Sequence, residues 1–116
     1  MPWDLRESAC SAAVVGEVFW ADAIVEMDGL APEEAHRRLQ GLVARDVVRP
    51  AGRSTVRASE EYAFVHSLVR DAAYDRLPRA ERTRRHLAAA DWIERLAGDR
   101  AMDHAELLAH HMSAAL

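Results

Sequence analysis

One histidine, His66, stands where two different periodicities of apolar residues meet. The residues before it, Tyr62-Ala63-Phe64-Val65, form a short run typical of a β-strand, and those after it repeat with the spacing of an amphipathic helix. The sequence therefore predicts a strand-to-helix junction at His66. Because the first backbone N–H groups of a helix have no intrahelical acceptors, such a junction attracts phosphate and other anions.

Three helices are predicted before this junction. An apolar stripe at helical spacing begins at Leu5 and stops at Gly16, and a short helix follows over residues 21–28. Phe19 and Trp20, which lie between these two helices, are expected to fill the core at a turn. The third helix is the best marked of the three, because Pro32 at its first position is followed by Glu33 and Glu34, and it is expected to end near Arg45-Asp46.

The third helix is followed by a pattern of two short strands. One strand is expected over residues 47–49, where Pro50 limits it, and the other over residues 62–65. The polar residues 51–59 between them predict a loop that is longer than a tight turn. Three helices followed by a two-stranded hairpin is the pattern of a winged helix, in which this loop is the wing.

The pattern after the junction is entirely helical. Helices are predicted over about residues 66–76, 78–97 and 103–114, and they indicate an arm that begins an antiparallel helical array similar to a tetratricopeptide solenoid. We therefore expect a mainly α fold with a small β-hairpin. Its expected parts are a winged-helix domain, residues 1–65, and a helical arm or truncated helical repeat, residues 66–116.

The composition argues against several classes of protein. A formal net charge of −4 disfavours binding to nucleic acid through bulk charge, and the 15 basic residues are all arginine. Cys10 is the only cysteine, so no intramolecular disulfide is possible and a buried structural role is expected. No apolar run approaches the length of a membrane span, and the first residues lack the basic segment of a signal peptide. We expect a cytoplasmic location and no membrane partner.

Three segments of the chain resemble one family, the bacterial regulatory ATPases of the STAND type. Residues 12–20, AAVVGEVFW, are similar to the opening of the winged-helix domain in these proteins. Residues 62–74, YAFVHSLVRDAAY, are similar to the segment that closes that domain, and residues 77–93 to the helical arm behind it. Similar segments occur in actinobacterial proteins that combine an ATPase module with a tetratricopeptide-like array and, in some, an adenylate/guanylate cyclase domain or a LuxR-type DNA-binding domain.

The resemblance implies a non-catalytic, regulatory role. In the family, the histidine of the closing segment reaches the phosphates of a nucleotide held by a neighbouring domain. This implies phosphate sensing by His66 and a contact with the nucleotide or a neighbouring domain for Arg70. The Gly-x-x-x-x-Gly-Lys-Ser/Thr loop of an ATPase is absent, and a chain without lysine cannot form one.

The expected cofactor and partners follow from that missing loop. ADP or ATP would be bound by the P-loop ATPase domain of a larger parent protein, and the isolated chain is expected to bind no cofactor of its own. That ATPase domain and the helical-repeat domain of the parent are the expected partners. In the parent, the chain would couple the nucleotide state to an effector domain.

The alternative is a small stand-alone winged-helix DNA-binding transcriptional regulator. The third helix of a DNA-binding winged helix enters the major groove, where arginine and glutamine read base edges. The candidate DNA contacts are Arg37, Arg38, Gln40 and Arg45 on this helix and Arg53 and Arg57 in the wing. Phosphates would repel Glu33, Glu34 and Asp46 on the same helix, so this alternative ranks second and nucleic acid is not an expected partner.

The remaining candidate sites have ordinary explanations. His110 and His111 are adjacent and point about 100° apart on a helix, so we expect no metal site there. The serines lack the motif of a nucleophile elbow, so no catalytic residue is expected. The arginines between residues 76 and 85 alternate with acids, which predicts ion pairs on exposed helices. Leu107, Leu108 and Met112 on the last predicted helix allow self-association through exposed apolar surface.

Overall fold

The computed structural model describes residues 1–53 and 60–97. Within these residues, five helices and three strands follow each other in the order α1 (Trp3–Val15), β1 (Val18–Trp20), α2 (Ala21–Asp28), α3 (Pro32–Ala44), β2 (Val48–Arg53), β3 (Glu60–Phe64), α4 (Ser67–Asp75) and α5 (Arg79–Ala97). The fold is mainly α with a small three-stranded antiparallel sheet. This confirms the predicted mainly α class, but the sheet has one strand more than the predicted hairpin.

Local sequence signals set the ends of the first three helices. Gly29 adopts the left-handed conformation, with φ 63° and ψ 43°, and its N–H bonds to the carbonyl of Val25 at the end of α2. A glycine is favoured in this conformation because it has no Cβ to clash with the backbone. Pro32 occupies the start of α3, where its missing N–H costs nothing. The bounds of these helices agree with the predicted ones.

β1 is the strand that the sequence pattern did not predict. It pairs antiparallel with β3, so that β3 lies between β1 and β2 in the sheet. Phe19 is fully buried opposite Tyr62, and the centres of the two rings are 5.9 Å apart. The expected burial of Phe19 is confirmed, but the expected turn is wrong, since the backbone at this point is extended and bonded to β3.

β2 continues beyond Pro50, where the strand was expected to stop. The register between β2 and β3 shifts between Pro50 and Gly52, which places a β-bulge in an edge strand. An edge strand tolerates proline because one side of its backbone needs no ladder partner. The loop predicted as the wing therefore begins after Arg53 and not at residue 51. Residues 54–59, including Arg57, lie outside the described residues.

A single apolar core joins the two predicted parts of the chain. α1 lies at its centre, and α2, α3, α4 and α5 all pack against it. Leu77, Trp92 and Ile93, from the predicted arm, belong to the same buried cluster as Leu5 and Phe19. The described helices of the arm therefore lie against the preceding residues, and the domain boundary between residues 65 and 66 stays a prediction.

The C-terminal predictions fall outside the described part of the chain. The last predicted helix, residues 103–114, and the self-association assigned to it lie there. None of the helices in residues 1–53 and 60–97 is long and apolar enough to cross a membrane.

Candidate functional site

His66 lies at the predicted junction, between the end of β3 and the start of α4. Its backbone is extended, with φ −133° and ψ 135°, and its carbonyl oxygen accepts a 3.0 Å hydrogen bond from the N–H of Val69. The side chain is exposed, and within the described residues it makes no capping hydrogen bond to α4. An imidazole in this position can donate a hydrogen bond to an anion that approaches the positive end of the helix.

Apolar side chains are exposed beside this histidine. Leu68, in the first turn of α4, is 79% exposed. Val18 is 43% exposed, and it pairs in the sheet with Ala63, three residues before His66. Exposed apolar side chains near a hydrogen-bonding group are typical of a contact with another protein domain.

Arg70 is turned toward α1. Its Nε donates a 2.9 Å hydrogen bond to the carbonyl oxygen of Ala13, which lies in the last turn of α1. Carbonyls in that turn have no intrahelical donor, so a guanidinium is a favourable partner. Nη1 of Arg70 lies 3.3 Å from Asp71. Arg70 therefore holds α4 against α1, and its contact with a nucleotide stays a prediction.

Tyr74 connects α4 to α5. Its ring lies beneath the guanidinium of Arg70 at 5.1 Å and that of Arg82 at 4.8 Å, and its hydroxyl is 2.8 Å from Nε2 of His86. His86 is almost completely buried. The cation–π contact with Arg82 and the hydrogen bond with His86 join α4 to α5, whereas the contact with Arg70 lies within α4.

The arginines proposed as DNA contacts on α3 are held by acids. Arg37 forms ion pairs with Asp4 and Glu34, and Arg38 donates from Nε to Glu34 at 2.9 Å and from Nη1 to the carbonyl of Asp4 at 3.3 Å. Hydrogen bonds from Arg37 and then Arg38 lower the pKa of Glu34 to about 2. These guanidinium groups are thus engaged within the chain.

The other candidate DNA contacts differ in position. Gln40 and Arg45 are exposed, and Arg45 donates to the carbonyl of Gly41 at 3.3 Å. Arg53 ends β2, and Arg57 is outside the described residues. The exposed face of α3 also lies next to an acid of β3, since Glu60 is 3.9 Å from His36. Of the predicted DNA-reading residues, the structure therefore pairs Arg37 and Arg38 with carboxylates.

A buried polar network joins α1, α2 and α5, and sequence reasoning missed it. Arg85, expected on an exposed face, is only 6% exposed. Its Nη2 donates to the carboxylate of Glu7 at 2.6 Å, its Nη1 donates to the hydroxyl of Ser11, and Asp28 lies 3.8 Å away. The expectation of an exposed ion pair is wrong at Arg85, whereas Arg84 does pair with Glu81 on the surface as predicted.

Asp28 is the acceptor at the centre of this network. Its carboxylate accepts hydrogen bonds from Ser8, at 2.9 Å, and from Ser11. Burial raises the pKa of Asp28 above its usual value, against the opposite effect of the hydrogen bonds from Ser11 and Ser8 and of the charge of Arg85. The sequence feature that could have indicated this network is the pair Ser8 and Ser11, three residues apart on the buried face of α1.

Cys10 occupies the buried position predicted for it. Its thiol donates to the carbonyl of Ala73 at 3.5 Å, and burial raises its pKa. Across residues 1–53 and 60–97, no three His, Cys, Asp or Glu side chains are grouped to hold a metal ion. His110 and His111 lie outside those ranges.

Comparisons of the chain with known protein families, with curated proteins and with solved structures find no match. Its function is therefore inferred from the residues and the geometry above.

Proposed function

We propose that this chain is the winged-helix segment and helical arm of a regulatory ATPase of the STAND type. In this role it is non-catalytic and couples the nucleotide state of a P-loop domain to an effector domain. The observation that carries the proposal is the exposed imidazole of His66 at the N-cap of α4, two residues after the end of the central strand of the sheet. It supports the phosphate-sensing role that the resemblance implies for this histidine.

The order of the elements supports a winged helix. α1, β1, α2, α3, β2 and β3 follow the order typical of that fold, and β1 pairs with β3 to complete a small sheet beside three helices. In chain order, the wing of that fold corresponds to the connection between β2 and β3, whose residues 54–59 lie outside the described part of the chain. Because a fold does not by itself define a function, the role of the domain is assigned from His66 and α3.

The contacts of Arg70 support transmission of a signal from His66. A nucleotide phosphate bound at the start of α4 would pull on a helix that is tied to α1 through Ala13 and to α5 through Tyr74. In the proposed mechanism, ADP holds His66 against the ATPase domain and keeps the protein closed. Exchange for ATP releases this contact, and the winged helix moves as a rigid body.

The stand-alone DNA-binding regulator has less support. Arg37 and Arg38 are engaged by Asp4 and Glu34, and Glu60 lies beside the exposed face of α3. A mobility-shift assay on a random DNA duplex at low salt separates the two proposals. We expect no shift at micromolar concentrations of the chain, since net positive charge drives non-specific DNA binding and this chain has a net charge of −4. A shift that disappears in Arg37→Ala would favour the DNA-binding regulator.

The experiment that tests the regulatory proposal replaces His66 with alanine in the parent protein. Loss of the phosphate contact weakens the ADP-bound closed state, so the basal output of the effector domain is expected to rise. His36→Ala is the matched control, because His36 is also an exposed histidine but lies on α3. Unchanged basal output in His66→Ala, or a parent that contains no P-loop module, contradicts the proposal.

A further inference from the structure

Two cavities adjoin along the first half of α1. One has a volume of about 260 Å³ and lies between α1 and α4, and it is lined mainly by apolar atoms of Ala9, Cys10, Val47, Val69, Ala72 and Ala73. The other has a volume of about 510 Å³ and lies where α5 begins. Arg6, Cys10 and Arg76 line both cavities. Because they share these lining residues, we treat the two cavities as one site, the α1 groove, with an apolar half and a cationic half.

The cationic half carries a surplus of positive charge. It is lined by four arginines and two acids, Arg6, Arg76, Arg84, Arg85, Glu7 and Glu81. Glu7 pairs with Arg85 and Glu81 with Arg84, each at 2.6 Å, so these charges compensate each other. Arg6 and Arg76 are exposed, and in the described part of the chain neither has a carboxylate within ion-pair distance. The uncompensated charge therefore lies where the two halves meet.

A buried donor in this half also lacks an acceptor. The side chain of Arg85 is 8% exposed, and its Nε has no hydrogen-bond partner among the described residues, although Glu81 lies 3.4 Å away. The first turn of α5, whose N–H groups point out of the helix, borders the same space. The helix N-terminus favours an anion in the cationic half, and the hydrogen-bonding capacity of the Arg85 guanidinium is not filled by the described residues.

We propose that the α1 groove binds a small amphipathic carboxylate. The carboxylate is held by Arg6 and Arg76, and an unbranched apolar tail lies over Ala9, Val69 and Ala72. The charge of the groove selects an anion over a cation, and the apolar half selects a ligand with a tail over a free anion. The cationic half, at about 510 Å³, lies within the roughly 300–1,000 Å³ typical of small-molecule sites, and the apolar half adds about 260 Å³. The proposed binding is independent of the regulatory role of His66.

The test uses the full chain and sodium decanoate below its critical micelle concentration. Binding is measured by calorimetry and located by ¹H–¹⁵N NMR, with the Nε–H signal of Arg85 as a direct reporter on the cationic half. We expect shifts confined to the α1 groove. Acetate has the headgroup alone, and decyltrimethylammonium has the tail with the opposite charge. Each is expected to bind at least about tenfold more weakly than decanoate.

Matched variants distinguish the groove from general adhesion. Arg6→Gln and Arg76→Gln are each expected to weaken decanoate binding about fivefold, as for a solvent-exposed ionic hydrogen bond. Arg49→Gln, on the exposed side of β2, is the control and leaves binding unchanged. Circular dichroism and thermal unfolding confirm that each variant is folded, which is expected because all three arginines are exposed.

Four results would overturn the proposal. They are no binding of decanoate, equal binding of decanoate and decyltrimethylammonium, NMR shifts outside the groove, and unchanged binding in Arg76→Gln. None of these results depends on a nucleotide or on an ATPase domain, so failure here leaves the regulatory proposal intact.

Discussion

The Nε of Arg70 and the carbonyl oxygen of Ala13 are joined by a 2.9 Å hydrogen bond. This contact links two residues that are 57 positions apart in the chain, one in the helix after His66 and one at the end of α1. It satisfies a helix-terminal carbonyl and fixes the direction of α4. The position of the His66 imidazole relative to the rest of the core therefore depends on a residue one turn away from it.

Replacing Arg70 with alanine should destabilise the chain. The change removes the bond to Ala13 and the cation–π contact with Tyr74, and we expect the free energy of unfolding to fall by about 1–2 kcal/mol. Urea denaturation measures this change. Arg45→Ala is the control, since the Arg45 side chain is exposed and, among the described residues, bonds to Gly41 of its own helix, and it should cost less than about 0.5 kcal/mol. Equal costs in the two variants would contradict a fixing role for Arg70.

Asp28 should make the chain's stability respond to pH in an unusual direction. Burial raises the pKa of this carboxyl in the folded state above the unfolded value near 3.8, so the folded chain binds the proton more tightly. The contribution of Asp28 to stability therefore rises as the pH falls through the raised pKa, and it is lost as the pH rises. We expect wild type to gain stability relative to Asp28→Asn between about pH 7 and about pH 3, measured by urea denaturation.

Glu34 supplies a comparison of opposite sign. Its pKa is lowered to about 2 by hydrogen bonds from Arg37 and Arg38, so its contribution is present above the unfolded value of 4.5 and is lost as the pH falls toward about 2. Wild type should therefore lose stability relative to Glu34→Gln over the same pH range. If both differences had the same sign, the assigned burial of Asp28 would be wrong.

Gly41 should resist replacement by alanine, although it lies in the interior of α3. A Cβ at this position would come within 2.9 Å of Cδ1 and 3.0 Å of Cδ2 of Leu5, which is buried in the core. Alanine gains about 1 kcal/mol of helix propensity, whereas overpacking costs about 1–3 kcal/mol, so a net loss of about 1 kcal/mol is expected.

The clash at Gly41 can be tested by removing its partner. In a Leu5→Ala background the space is open, and Gly41→Ala is expected to stabilise the chain by about 1 kcal/mol. Thermal and urea unfolding of wild type, Leu5→Ala, Gly41→Ala and the double variant measure the coupling energy between the two changes. Stabilisation by Gly41→Ala in both backgrounds would show that α1 does not approach α3 closely.

Features of the fold that depend on neighbouring residues were predictable from the sequence. The end of α2 at Gly29 and the start of α3 at Pro32 depend on backbone preferences of single residues, and the predicted positions are confirmed. The position of His66 belongs to the same class, because the change from strand to helix is visible in the residues on either side.

Features that depend on distant residues were not predictable. β1 has three residues, too few for a visible alternation, and it is a strand only because β3 bonds to it from more than forty residues away. The burial of Arg85 likewise requires Glu7, which is 78 positions earlier. Charge spacing along α5 alone predicts an exposed ion pair, since such spacing carries no information about which helix covers that face.

We propose that His66 holds a nucleotide phosphate in a neighbouring ATPase domain, and the rate of ADP release is the decisive measurement of that contact. The measurement follows fluorescent N-methylanthraniloyl-ADP leaving the parent protein, in wild type, in His66→Ala and in the control His36→Ala. Loss of one hydrogen bond to a charged phosphate should accelerate release about tenfold or more in His66→Ala, and His36→Ala should match wild type. Equal release rates from wild type and His66→Ala would show that His66 does not hold the nucleotide phosphate.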